Sequence, residues 1–257
     1  MTIREIDAYM SNWAKPSYSA SWDNDGIMLC LDRDREITRV TVALEINADV
    51  IAAAVKNGSE LIITHHPFIF YPIKRIDGAQ GSEGEYLHDL LKYGISVLSY
   101  HTRLDCAAGG VNDALCEKLS LSYVKPFGEG EAPMGRVGIL PRETDERRLA
   151  EYVKARLGCG TMRCVPVGKK HISRVAVLGG SGKDEIFEAA KVADAFITAD
   201  LTHNAFITAK ELLLFAMDAG HYHTENPIVD TIAARLCDMF PVLTVNTVDV
   251  GSPFTLM

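Results

Sequence analysis

The sequence contains no hydrophobic stretch long enough to cross a membrane. Its longest apolar runs, such as Leu212–Met217, have the length of a buried core segment, whereas a transmembrane helix needs about 20 apolar residues. Residues 1–13 also lack the apolar centre of a secretory signal peptide. We therefore expect a cytoplasmic protein that does not associate with membranes.

Excess positive charge is also absent. Asp and Glu total 34 against 26 Lys and Arg, which gives a net charge of −8. Such a charge disfavours a broad nucleic-acid-binding surface, although a small pocket could still hold a nucleotide. The G-x-S-x-G and G-K-[ST] motifs are missing too, which disfavours serine-nucleophile and P-loop chemistry.

The cysteines form no C-x-x-C pair. In a chain without a signal peptide, we expect them to be reduced and mostly buried, and this disfavours a cysteine-based zinc site. The six cysteines are Cys30, Cys106, Cys116, Cys159, Cys164 and Cys237.

Strand and helix patterns alternate along the 257 residues, which predicts an α/β fold. Residues 40–44 and 61–64 are typical of buried strands, and residues 48–56 form an Ala-rich helical segment between them. Short loops join the three, as in a β–α–β unit of a parallel sheet. Further helices are predicted over residues 3–14 and 204–216.

One β–α–β pattern occurs twice. Residues 39–66 and residues 174–200 each run from a strand through an Ala-rich helix to a strand that ends in Ile-Thr. The general likeness of all β–α–β units would explain this, and so would two related lobes. Ligands of open α/β sheets bind beyond the carboxyl ends of strands, so the residues that follow these strands are candidate site residues.

Histidine, aspartate and glutamate are concentrated in four short segments that follow predicted strands or precede helices. This ligand set without cysteine is typical of Zn, Mn or Fe sites that keep positions open for water. The segments are Thr64–Pro67, His101–Asp105, Asp200–His203 and Gly220–Glu225.

The histidines differ in how strongly they indicate a metal. His65 and His66 follow an apolar strand, where imidazoles need polar partners, so we favour a metal role over a structural one. Adjacent strand residues point to opposite faces, and both can bind a metal only if the chain turns, which Pro67 favours. We expect His88 and His171 to be surface residues. The roles of His203 and His223 are left open: each could be a hydrogen-bond partner of a metal ligand, a proton shuttle or a surface residue.

Other features have more than one interpretation. The segment Gly179–Gly182 precedes a helix, where it could cradle a phosphate, but a sharp turn is favoured. Trp22 and Asp23 belong either to a binding loop or to a packed cap. Three cations near the histidine segments are available for a phosphate chain: Lys74, Arg75 and Arg103.

Five segments in a fixed order carry a family resemblance. They are Trp22–Gly26, Thr64–Pro67, His101–Asp105 with Gly109–Asp113, Thr198–Asp200 and Gly220–Glu225. These segments resemble the WDN-x-G, THHP, HT-x-LD with GG-x-ND, T-G-E and GH-x-x-TE boxes of the GTP cyclohydrolase I type 2 homologues. That family is also called the NGG-interacting factor three-like family.

The resemblance implies a dinuclear metal site whose ligands are His65, His66, Asp105, His221 and Glu225. Two divalent cations per chain are expected, and Zn, Mn, Fe, Ni and Co all suit these ligands. The family forms toroidal homohexamers, and a chain of this length resembles its short form without an inserted middle domain.

The family fold is two α/β lobes with the metal site in the cleft between them. We accordingly predict two related α/β lobes with mixed sheets. The first lobe comprises residues 1–125 plus about 220–257, and the second comprises about 126–219. The Gly- and Pro-rich residues 125–134 form the candidate linker.

The family name implies a metal-dependent hydrolase in which activated water attacks a nucleotide ring. Glu225 or Asp105 would bridge the cations. His101 is the candidate catalytic acid and base, because an imidazole exchanges protons near neutral pH.

Two alternatives remain. One is a non-enzymatic metal-binding scaffold or regulatory interaction protein, and the other is a metal hydrolase of a different small substrate. The chain departs from the family at Met28, Glu45 and Asp200, where Gln, Asp and Glu are usual. These departures spare the presumed ligands and leave the substrate, and the roles of Glu45 and Asp200, open.

Overall fold

Two compact units make up the chain. The computed structural model describes residues 1–79 and 83–254. Unit 1 comprises Met1–Ala107 with Ile228–Gly251, and unit 2 comprises Ala108–Pro227 with the residues from Ser252 onward.

The unit boundaries differ from the lobes drawn from the sequence. The sequence predicts that residues 108–125, 220–227 and 252–254 belong to the first lobe, whereas in the structure they belong to unit 2. The predicted linker over residues 125–134 begins inside a strand that pairs with its neighbour in unit 2.

Helices and strands alternate through the described residues, which confirms the predicted α/β class. The helices are α1 (Ile3–Trp13), α2 (Ala48–Asn57), α3 (Glu83–Tyr93), α4 (Thr102–Cys106), α5 (Val111–Lys118), α6 (Glu146–Leu157), α7 (Ile186–Val192), α8 (His203–Glu211), α9 (His221–Glu225) and α10 (Pro227–Met239). The strands are β1 (Gly26–Leu29), β2 (Arg39–Ala43), β3 (Leu61–Thr64), β4 (Ser96–Ser99), β5 (Ser122–Phe127), β6 (Gly135–Thr144), β7 (Arg163–Cys164), β8 (Ile172–Ser181), β9 (Ala195–Ala199), β10 (Phe215–Asp218) and β11 (Thr244–Val248).

Unit 1 contains a mixed sheet in the order β1-β4-β3-β2-β11. The four strands β4, β3, β2 and β11 are parallel to one another, and β1 is antiparallel to β4. The central strands are buried on both faces, which is why β3 is the uninterrupted apolar sequence Leu-Ile-Ile before Thr64.

The β2–α2–β3 connection shows how local sequence sets these elements. The Asn47 side chain accepts a hydrogen bond from Val50 N and so caps the start of α2. Gly58 ends the helix in the left-handed conformation with φ 64°. Val50 and Ala54 face the core against β3 and β4. The strand β3 that follows this helix ends at Thr64.

Unit 2 contains a second mixed sheet in the order β5-β6-β8-β9-β10-β7. The neighbours β8, β9 and β10 are parallel, and the other pairs are antiparallel. Apolar clusters cover both faces of this sheet, one including Leu149 and Val153 of α6 and the other including Ala205 of α8. Together the two sheets confirm the prediction of mixed sheets.

The predicted helix over residues 204–216 is wrong in its second half. The helix α8 ends at Glu211, Leu213 adopts left-handed backbone with φ 53°, and β10 begins at Phe215. A short apolar run lacks the periodicity that separates a buried helix from a buried strand. Here the run supplies a buried strand that hydrogen-bonds to β9.

Both copies of the predicted β–α–β pattern are parallel units. In unit 1, β2 pairs with β3, and in unit 2, β8 pairs with β9. The residues after Thr64 and after Ala199 therefore leave their sheets at equivalent points.

Among the described residues, no helix is both long enough and apolar enough to span a membrane.

Candidate metal centre

The turn after β3 brings two adjacent histidines together. His65 N and His66 N both donate to the carbonyl oxygen of Leu44, at 3.1 and 2.9 Å. The chain therefore leaves strand geometry at Thr64, and the two imidazole centroids lie 5.2 Å apart. This is the turn that the sequence required for both histidines to face one metal site.

Three imidazoles cluster in unit 1. Ring nitrogens of His65, His66 and His101 all lie within 4.8 Å of one another, so they could hold one metal ion. His65 is fully buried, whereas His66 and His101 are partly exposed. Buried ligands beside partly exposed ones suit a metal centre that a small molecule can reach.

Each imidazole of this cluster is oriented through Nδ1. His65 Nδ1 donates to Tyr100 O at 2.9 Å, and His66 Nδ1 donates to Glu45 Oε2 at 2.9 Å. Nδ1 carries the proton in each case, because carbonyl and carboxylate oxygens only accept. A neutral ring held in this way carries its lone pair on Nε2, which is the arrangement found in metal-binding histidines.

His101 is held by a carboxylate that the sequence analysis did not assign to the site. Asp23 Oδ1 accepts from His101 Nδ1 at 2.8 Å, and Asp23 Oδ2 accepts from Thr102 N and Oγ1 at 3.0 and 2.5 Å. Burial raises the pKa of Asp23, but these hydrogen bonds outweigh it and lower that pKa to about 2. Asp23 therefore orients His101. The only feature of the sequence that could have indicated this role is a carboxylate in a turn-forming segment.

The one-turn helix α4 places Asp105 beside His65. Asp105 Oδ1 lies 3.7 Å from His65 Nε2, and the Asp105 side chain is buried. The helix begins directly after His101, so the histidine and the aspartate four residues later lie on one side of the turn.

Arg103 is not available to a substrate phosphate, contrary to the sequence-based expectation. Its side chain is 3 % exposed and pairs with Asp25 at 3.2 Å. Its guanidinium also lies 4.6 Å from the centroid of the Tyr100 ring. Burial raises the pKa of Asp25, and the Arg103 charge opposes that shift. Lys74 and Arg75, in contrast, are exposed.

Unit 2 carries a second group of candidate ligands at α9. His221 Nε2 and Glu225 Oε2 lie 2.9 Å apart at the two ends of this helix, and Glu225 is buried. Asp200, directly after β9, accepts from His221 Nδ1 at 2.7 Å. Asp200, whose role the sequence left open, therefore orients the imidazole as Glu45 does for His66.

The glycine run of β8 makes room for this group. Gly180 has φ 64°, and a Cβ there would overlap the Glu225 carboxylate and lie 3.1 Å from His221 Nε2. Gly180 N donates to Thr224 Oγ1 at 3.0 Å. Gly179 and Gly180 lie within β8, so this part of the run accommodates a carboxylate and an imidazole.

Three of the remaining histidines are exposed, and the fourth, His223, lies in α9. His88 and His171 are exposed, as expected. Their Nδ1 atoms lie 3.3 Å from Asp89 Oδ1 and 2.7 Å from Glu143 Oε1, respectively. His203 is exposed at the start of α8. His223 lines a pocket of about 450 Å³ in unit 2, together with Asp200 and Arg163.

The donor set fits divalent transition metals. Imidazole Nε2 atoms with their Nδ1 atoms anchored, together with buried carboxylates, are ligands that Zn, Mn, Fe, Ni and Co accept. The space left by Gly180 beside Glu225 and His221 supports the same conclusion.

Comparison with known proteins gives a consistent result. The sequence profile of the family Duf34/NIF3 (NGG1p interacting factor 3) matches residues 1–251. A protein of Streptococcus pneumoniae is 36% identical over 242 residues, which cover 90% of this chain and 88% of the relative. A protein of Clostridium perfringens is 31% identical over 241 residues, which cover 92% and 91%. Both relatives are named GTP cyclohydrolase 1 type 2 homolog.

Solved structures share the fold. A Bacillus cereus protein related to NIF3 superposes with a TM-score of 0.91 at 20% identity, covering 100% of this chain and 99% of that one. Reduced HcgD from Methanocaldococcus jannaschii gives a TM-score of 0.82 at 31% identity, covering 96% and 97%.

Proposed function

Since the chain belongs to the Duf34/NIF3 family, we propose that it is a hydrolase that depends on two divalent cations. Its proposed metal ligands follow β3 and lie in α4 and α9: His65, His66, Asp105, His221 and Glu225.

The observation that carries this proposal is the cluster of anchored imidazoles in unit 1. Ring nitrogens of the proposed ligands His65 and His66 lie within 4.8 Å of each other and of a ring nitrogen of His101, the proposed acid and base, and each Nδ1 is bound to an oxygen acceptor. Orientation by such partners is typical of metal-binding histidines, and their loss costs about 10- to 100-fold in metal affinity. The His221–Asp200 pair repeats the pattern in unit 2.

Divalent cations bound here would lower the pKa of a water molecule and polarise a substrate oxygen. The chain's own contribution is to hold protons at defined atoms. The carboxylate of Asp23 stays ionised at neutral pH and fixes the proton of His101 on Nδ1. Nε2 of His101 can then accept a proton from water and donate it to a leaving group.

A nucleotide is the proposed substrate class. The curated relatives carry the name GTP cyclohydrolase 1 type 2 homolog, and that name supports hydrolytic opening of a nucleotide ring with release of formate. The exposed side chains of Lys74 and Arg75 could meet a phosphate group.

Elemental analysis of the purified protein, together with formate release from GTP, tests the proposal. We expect about two metal equivalents per chain and metal-dependent formate release. Two equivalents without turnover would retain the metal site and favour another substrate or a scaffold. The absence of metal after reconstitution would overturn the proposal.

A ligand variant with a matched control sharpens this test. His66→Ala should lose about one metal equivalent and all hydrolysis, because an oriented ligand is removed. His203→Ala changes an exposed histidine outside the clusters and should keep both. Full metal occupancy in His66→Ala would contradict the ligand assignment.

We also propose, from the family resemblance, that the chain assembles into a toroidal homohexamer. Six chains of 28.2 kDa give about 169 kDa (6 × 28.2). Light scattering that returns the mass of one chain would contradict this assembly.

A further inference from the structure

Aromatic side chains are exposed beside the histidine cluster of unit 1. Trp22 is 63% exposed and Tyr71 is 74% exposed, while Phe70 is partly exposed between them. Single exposed aromatic residues are common on protein surfaces, but contiguous ones mark ligand-binding surfaces. We call these three side chains the aromatic wall.

The aromatic wall is continuous with a candidate catalytic residue. The ring centroids of Trp22 and Phe70 lie 6.2 and 6.3 Å from that of His101, and 6.3 Å from each other. Tyr71 extends the surface from Phe70 at a centroid distance of 4.8 Å. The rings are inclined to one another, by 53° between Trp22 and Phe70 and by 90° between Phe70 and Tyr71. A planar molecule stacked on the face of Trp22 or Phe70 would therefore lie next to the imidazole that we assign to proton transfer.

Hydrogen bonds fix the two loops that carry the wall. The Asn24 side chain donates to Ile69 O at 2.5 Å and so ties the Trp22 loop to the Phe70 loop. Ala20 N donates to Thr102 Oγ1 at 2.9 Å, and the Asp23 carboxylate binds the start of α4. A surface held in this way loses little conformational entropy when a ligand binds.

We propose that the aromatic wall stacks the planar heterocycle of the substrate, and that this heterocycle is a nucleobase. Every base offers a π face to aromatic side chains, and a nucleotide also carries an anion for Lys74 and Arg75 on the same loop as Phe70. The proposal rests on the proposed hydrolase function, because it assigns the side chains that hold the base of that site's substrate.

Tryptophan fluorescence tests the proposal directly. The chain has two tryptophans, so the metal-loaded Trp13→Phe protein reports on Trp22 alone. We expect saturable quenching by guanosine, adenosine and guanosine monophosphate, and none by ribose 5-phosphate. In this background Phe70→Leu, which keeps an apolar side chain, should weaken nucleoside binding about tenfold.

The matched control is Phe187→Ala, which removes a 60% exposed aromatic side chain of unit 2. Unchanged nucleoside affinity in this control supports the proposal. Three results would overturn it: no quenching by any of the three base-containing probes, equal binding of ribose 5-phosphate, or equal effects of Phe70→Leu and Phe187→Ala.

Metal content, measured on the same samples, separates the two proposals. Full metal content without nucleoside binding would overturn the stacking proposal and leave the proposed hydrolase function intact. Quenching by base-containing probes alone, in a protein that holds no metal, would support the nucleoside site and overturn the proposed hydrolase function. Phe70→Leu should retain the wild-type metal content.

Discussion

Two parallel β–α–β units present polar residues at the same point, immediately after a strand that contains Ile-Thr. In unit 1, the residues after β3 are the candidate ligands His65 and His66 themselves. In unit 2, the residue after β9 is Asp200, which orients the candidate ligand His221 from a later helix. One strand end can therefore supply either the ligand or the group that positions it.

The threonines of these strand ends serve correspondingly different purposes. Thr64 Oγ1 donates to His66 O at 2.8 Å and stabilises the turn that carries both histidines. Thr198 Oγ1 donates to Gly180 O at 3.0 Å and holds the neighbouring strand where Glu225 needs space. Similar sequences thus stabilise the turn that carries the candidate ligands in unit 1 and, in unit 2, the space beside Gly180 that accommodates Glu225 and His221. We call this space the unit 2 cradle.

The largest effect on this comparison should come from filling the unit 2 cradle. In Gly180→Ala the added Cβ overlaps the Glu225 carboxylate and also strains a backbone with φ 64°. We expect the loss of about one metal equivalent and about 2–4 kcal/mol of stability. Elemental analysis and denaturant unfolding measure both changes.

Gly158→Ala is the control for backbone strain alone. Gly158 has φ 69° and no atom within 4 Å of a built Cβ, so we expect a cost of about 1 kcal/mol and unchanged metal content. If the two alanine variants behave alike, the cradle has no bearing on metal binding.

Removing the orienting carboxylates tests whether both units position their imidazoles in the same way. Glu45→Gln and Asp200→Asn each replace the acceptor of a histidine Nδ1 proton. We expect metal affinity to fall about 10- to 100-fold in each variant, as measured by competition with a chelator. Glu143→Gln alters the exposed His171 pair and should leave the affinity unchanged. An effect in one unit only would break the parallel between them.

The smallest expected effect concerns Asp23 and depends on pH. Its pKa falls from 3.8 to about 2 on folding, so its carboxylate stabilises the folded state above about pH 4. This contribution is lost as the pH falls towards 2. Asp23→Asn should lower the free energy of unfolding by about 1–2 kcal/mol at pH 7, and by less at pH 3.

Asp34→Asn is the comparison for this variant, because Asp34 pairs with Arg4 on the exposed surface at 2.7 Å. Such a pair contributes little in water, and we expect little change in stability. A penalty for Asp23→Asn that stays constant between pH 7 and pH 3 would contradict the assigned pKa.

The hydrophobic pattern of the sequence predicted the positions of several strands and helices. The strand Leu61–Thr64 and the helices α1 and α2 lie within one residue of their predicted positions. The short helices α4 and α9 were not predicted, because five residues are too few to show a helical period. The strand β10 was missed because an apolar run carries no period at all.

The candidate site was only partly predictable. Histidine segments after strands indicated the clusters of both units, since strand ends are where α/β folds place ligands. The burial of Arg103 against Asp25 and the bond from His101 to Asp23 depend on contacts between residues far apart in sequence. The space that Gly180 leaves for Glu225 depends on tertiary packing in the same way.

The short helix α9 cannot be lengthened without moving one of its candidate ligands relative to the other. His221 and Glu225 are its first and last residues, so one inserted residue would turn Glu225 by about 100° around the helix axis. The exposed segment around Gly130, with no atom within 4 Å of a built Cβ, carries no such restriction. Peptide tags and reporter domains should therefore be tolerated at Gly130, whereas a single added residue inside α9 should abolish the function of the centre.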